Sequence, residues 1–135
     1  MNTQFNNAYQ SLSDEDGNVS LIVAPSVQLT KETTLMLKPD ASSSALLVVD
    51  LSVQENIELT TFVERASVAN TALDVAPLVF EDTPNTTLTF SLESDCDPYR
   101  LFMSVELKSS DSEKSFCVTL PVSTTANAFL NALKH

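Results

Sequence analysis

The chain holds a single glycine, Gly17, among its 135 residues. Loops that cradle phosphate need several glycines for close backbone approach, so that class of nucleotide site is excluded. Turns must instead be built from Asn, Asp, Ser and Pro, which bend the chain through side-chain hydrogen bonds or a fixed φ. Histidine also occurs once, as His135. A Ser–His–acid or Cys–His arrangement would rest on that last side chain of the sequence. Cys96 and Cys117 are the only cysteines. They are too few for a disulfide framework or a Cys/His zinc site, and both read as free thiols. Tryptophan is absent and the only tyrosines are Tyr9 and Tyr99, which leaves little for stacking against a sugar. These absences lead us to expect no enzyme and no bound cofactor.

Bases are scarce as well: seven against 18 acids, for a formal charge of −11. A surface of that sign repels phosphate backbones and anionic lipid, so nucleic acid and membrane are both excluded on this reading. It permits a basic protein partner or a cation. No stretch approaches the roughly 20 apolar residues that span a bilayer. Met1 to Gln10 carries no positive side chain and no apolar run, so a cytoplasmic protein, or one exported without a signal peptide, is expected.

What the chain does have is a two-residue beat. Between Tyr99 and Val122, Leu101, Met103, Val105 and Leu107 alternate with Arg100, Phe102, Ser104, Glu106 and Lys108. Phe116, Val118 and Leu120 alternate in the same way with Cys117, Thr119 and Pro121. Successive strand side chains point to opposite faces, so each arm has one face that must be buried. A symmetric hairpin about residues 109–114 sets Leu107 across from Phe116, Val105 from Val118, Met103 from Leu120 and Leu101 from Val122. A slip of one residue would turn all of them to water.

The same beat runs through Val19–Val23, Thr33–Leu37, Ala45–Val53 and Leu88–Leu92. Ile57, Leu59 and Val63 read as a further strand, paired antiparallel with Ala45–Val53 across Gln54–Asn56. Val27 and Leu29 read as continuing one face of the second segment. Leu73 and Val75 belong to a strand that Pro77 interrupts, the mark of an edge or a bulge. Only the end changes period: Ala126, Phe129, Leu130 and Leu133 fall on one helical face, with Ser123, Thr124 or Thr125 as N-cap. The expected fold is all-β, an antiparallel two-sheet β-sandwich of immunoglobulin-like or jelly-roll order with a short C-terminal helix. A partly closed barrel is the alternative. Residues 1–18 read as a polar arm or weak first strand, 19–123 as the sandwich, and 124–135 as the helix.

Two groups of residues are candidates for function. Leu46, Val48, Phe62 and Phe102 sit opposite the best apolar alternation, which suggests an outer sheet face covered by the tail or by another subunit. With Phe129, Leu130 and Leu133 of the tail they form a candidate interface. The other group is Asp14-Glu15-Asp16-Gly17-Asn18, which resembles the opening of a calcium loop through Asp14, Asp16 and Asn18. Position six is Val19 where glycine is needed and position twelve is Pro25 where a glutamate should close the site, so a plain turn explains the same residues. The favoured function is a non-catalytic β-sandwich acting through protein–protein contacts or self-association, as a structural, adaptor or assembly component. The alternatives are an acidic immunity or antagonist protein blocking a basic partner, and a carbohydrate- or calcium-binding module.

Overall fold

The computed structural model describes residues 10–17, 19–38, 47–83, 86–96, 99–109 and 114–134. Strands β1 (Gln10–Ser13), β2 (Ser20–Pro25), β3 (Thr33–Lys38) and β4 (Leu47–Leu51) form one antiparallel sheet in that order, here called sheet A. Helix α1 (Val53–Val68) and a short 3₁₀ turn (Ala72–Asp74) lead to β5 (Leu78–Thr83). With β6 (Thr86–Cys96), β7 (Tyr99–Ser109) and β8 (Lys114–Pro121) it makes a second antiparallel sheet, again in chain order, called sheet B. Helix α2 (Val122–Leu133) follows without a break. Immunoglobulin-like and jelly-roll orders pass strands between sheets. Here every strand pairs with its chain neighbour, and the path changes sheet once, through α1.

The hairpin register holds. Leu107 pairs with Phe116, Val105 with Val118, Met103 with Leu120 and Glu106 with Cys117. It ends one step early, at Phe102 opposite Pro121, because Val122 already opens α2. The expected N-cap moves with it. Pro121 takes that place, and the Thr124 and Thr125 hydroxyls donate back to its carbonyl instead.

The strand expected over Ile57–Val63 is a helix. Asn56, Leu59, Phe62, Val63 and Ala66 are its buried positions, spaced by three, three, one and three, which is a helical stripe. Its start is a capping box: the Ser52 side chain accepts from the Glu55 N–H at 3.1 Å, and the Glu55 carboxylate accepts from the Ser52 N–H at 2.9 Å. Ser52 falls inside the apolar run Ala45–Val53 and Glu55 in the three polar residues that follow, so the motif is split and passes for a strand end and a hairpin turn. Leu73 is likewise in the 3₁₀ turn and 95% exposed, so β5 starts only after Pro77. It is an edge strand with a bulge between Glu81 and Thr83, as the proline suggested.

Both sheets and both helices feed one core. Leu21, Val23, Leu35, Leu37 and Val49 come from sheet A, and Leu88, Phe90, Met103, Val105 and Leu120 from sheet B. A residual gap of about 10 Å³ is lined by residues of both sheets, Leu35 and Leu37 on one side and Leu88 and Val105 on the other. Phe90 is its aromatic hub, with ring centroids 6.1 Å from Phe62, 6.1 Å from Phe80 and 6.5 Å from Phe129. Asn56 ties three elements together inside. It accepts from the Thr33 hydroxyl at 2.6 Å and donates to the Leu133 carbonyl at 3.1 Å, satisfying one of the acceptors that the end of α2 leaves unpaired. Among the described residues, no helix is long and apolar enough to cross a membrane.

Candidate functional site

The loop from β2 to β3 is held by a carboxylate that belongs to β4. Asp50 lies directly across from Thr34 and accepts its hydroxyl at 2.5 Å. It also accepts from the Ser26 hydroxyl at 3.2 Å and from the Gln28 amide at 2.7 Å. Backbone bonds close the loop further, from Ser26 N to Glu32 O at 3.1 Å and from Lys31 N to Gln28 O at 3.2 Å. The polar side chains therefore turn inward onto Asp50. Val27 and Leu29, on either side of Gln28, are left 96% and 103% exposed. They do not continue the β2 face, because Pro25 ends the strand and the turn follows at once.

On sheet A, the pairing sets Ile22, Met36 and Val48 side by side across β2, β3 and β4. These alternate with the buried Leu21, Val23, Leu35, Leu37 and Val49, so they form an apolar row on the outer face. Val48, on the edge strand, is 51% exposed. The outer face of sheet B is different: Thr87, Thr89, Ser91, Ser104 and Thr119 dominate it.

A cleft of about 400 Å³ opens where α1 ends. Ala66, Ser67, Ala69 and Asn70 form one wall, and Pro121, Val122 and Ser123 at the β8–α2 junction form another. Arg100, Leu101 and Phe102 of β7 complete it. The Arg100 guanidinium stands 4.7 Å above the Phe102 ring and makes a two-pronged pair with Glu15 of the β1–β2 turn, at 2.9 and 2.8 Å. Those hydrogen bonds hold the Glu15 carboxyl below the usual glutamate value and raise Arg100 above its own. A second groove of about 260 Å³ lies between α1 and the approach to β5, bordered by Ile57, Phe62, Val75 and Leu78.

The residues singled out from sequence are scattered by this fold. Phe62, Phe129 and Leu133 face the common core, 4%, 0% and 2% exposed, so they are committed within the chain and are corrected as interface residues. Helical geometry, which the alternation in that stretch concealed, is the reason for Phe62. Phe102 is on the outer face of sheet B as expected, but it is buried beneath Arg100. Leu130 is half-buried, Val48 stays at the surface, and Leu46 lies outside the described residues. Asp14 and Asp16 stand in the β1–β2 turn, and Asn18 lies outside the described residues. Gly17, at φ 74°, donates to the Asp14 carbonyl, and the Asp14 carboxylate accepts from the Val19 N–H at 3.5 Å. Among the described residues no group of three or more His, Cys, Asp or Glu is placed to hold a metal. Glu15, the neighbour that a calcium-loop reading skips, carries this turn's ion pair with Arg100.

No protein-family model matches the chain, and no curated protein matches it in sequence. Among solved structures it is similar in fold to WHY3 from Arabidopsis thaliana, with a TM-score of 0.49 and 18% identity over 94% of this chain and 86% of that one. One expectation is corrected at this point. The exclusion of nucleic acid is withdrawn, because it rested on net charge alone. Net charge is a sum over the whole surface, whereas recognition depends on where the charges stand.

Proposed function

We propose that this chain is a non-catalytic two-sheet β-sandwich that works through protein–protein contacts, with the β2–β3 loop as its leading contact. The observation that carries this reading is the exposure of Val27 and Leu29 on a loop closed by hydrogen bonds. Burying a valine or leucine side chain contributes about 1.5–3 kcal/mol, and a chain free to rearrange would take it. Asp50 prevents that by claiming the polar side chains on either side. A loop already in its final shape also loses little conformational freedom when a partner covers it. The apolar row Ile22, Met36 and Val48 extends the surface across sheet A.

The test is a photo-crosslinking residue at position 29, combined with light scattering of the purified protein. A defined adduct, with a second copy or with another protein, is expected in extracts of the native cell. Val27→Asp should remove it without changing the circular dichroism spectrum. A monomer by scattering that forms no adduct above background would sink the reading.

A further inference from the structure

We infer that the cleft between α1, β7 and the β8–α2 junction is a binding site for a small carboxylate with an apolar body, held at its charged end by Arg100. Its volume, about 400 Å³, falls in the range of small-molecule sites, roughly 300–1,000 Å³. Its described walls carry one charged side chain, Arg100, which Glu15 pairs from outside the cleft. The chain carries 18 acids and seven bases, yet the described residues that line this cleft include one arginine and no acid. Salt screens charges beyond about 8 Å, so the local balance is set by Arg100 with Glu15 and Asp95, and an entering anion must displace Glu15 from the fork.

Arg100 is also prepared for the task. Packing on Phe102 at 4.7 Å restrains its plane, and Glu15 shows that its fork accepts a carboxylate end-on, at 2.8 and 2.9 Å. A guanidinium has five N–H donors, of which that pair uses two. Both partners are half-exposed, 44% and 51%, so their pairing is weak enough to exchange. Glu15 therefore acts as an internal competitor for the fork. The rest of the ligand is set by the other walls: Ala66, Ala69, Leu101 and Val122 suit an alkyl or aryl body, and Ser67 and Asn70 stand beside it.

The probe is octanoate, with 1-octanol and octylamine as matched controls, read by calorimetry and by amide chemical shifts. Octanoate is expected to bind and to move the Leu101, Val122 and Ser123 amides, while octylamine does neither. Arg100→Leu should weaken it at least about tenfold, as loss of a charge-assisted pair implies, and Arg100→Lys, which keeps charge but not the fork, should fall between. Glu15→Gln should tighten binding, because the competitor is gone. Equal binding of octanoate and octanol, indifference to Arg100→Leu, or weaker binding by Glu15→Gln would each overturn the inference. Val27→Asp should leave octanoate binding unchanged, so this site and the loop contact stand or fall separately.

Discussion

The molecule runs the same order of elements twice, four antiparallel strands and then a helix, and the two halves are built differently. In the first, no strand exceeds six residues among those described, and α1 carries a full capping box. In the second, β6 and β7 run to 11 residues each, and α2 starts on Pro121 without a side-chain cap. A long strand specifies its own register, since a slip would expose every apolar residue along it. Short strands lack that leverage, and sheet A adds polar ties: Asp50 to the β2–β3 loop, and Asn56 from Thr33 to Leu133. The helices divide the same way. Both helices bury an apolar stripe, and α1 alone adds a side-chain cap at its start.

The most damaging test of this contrast is at the centre of sheet B. Val105 is 1% exposed, so Val105→Asp places a carboxylate among Leu and Phe side chains with nothing to pair it. The cost is several kcal/mol, comparable with the roughly 5–15 kcal/mol that holds a small domain folded, and the variant should not fold. Glu106→Ala, one residue along and on the outer face, should change stability by only about 0.5 kcal/mol. Circular dichroism and urea unfolding distinguish these outcomes. Comparable effects at both positions would contradict the register.

A smaller effect is expected in sheet A. Asp50→Ala removes the acceptor for Ser26, Gln28 and Thr34 together, but at a partly exposed site where water replaces the lost bonds. Destabilisation of about 1–2 kcal/mol is expected by urea unfolding. Amide exchange should accelerate selectively over residues 26–32, with β6 and β7 unaffected. Uniform acceleration across both sheets would mean that the loop is not separately tied.

The contrast between halves also explains which features were legible in the sequence. Leu88–Leu92 and Leu101–Leu107 alternate without interruption, so their faces and pairing could be read directly. Ile57, Leu59 and Val63 mislead because two of the three, at spacing four, satisfy a helix as well as a strand. The deciding signal was Ser52 with Glu55, a capping box at the right spacing just before the stripe. The change of sheet at α1 followed from the same misreading: with a strand there, the expected topology had no single crossover. The candidate site was less legible still. Glu15 and Arg100 are 85 residues apart, and no local pattern brings them together. Val27 and Leu29 are apolar residues in a turn, and exposure of that kind is visible only once Asp50 is seen to claim their neighbours.

The pair that joins the halves gives the smallest predicted effect and the most specific one. Glu15 belongs to the β1–β2 turn and Arg100 to β7, and their hydrogen bonds lower the glutamate's pKa. A carboxyl lowered on folding supports the native state above its unfolded pKa, near 4.5, and loses that contribution as pH falls through the lower folded value. Because both groups are exposed, the unfolding midpoint should barely move across that window. The signature is in the titration itself. By carboxyl-carbon NMR, Glu15 should titrate below an ordinary glutamate in the native protein and return to the ordinary value in Arg100→Leu. Raised salt should shift it partway in the same direction, since salt screens an exposed pair. If Glu15 titrates normally in the unaltered protein, the turn of the first half is not held to the second through this pair, and the buried core, Asn56 and the Glu64–Lys134 pair carry that joining among the described residues.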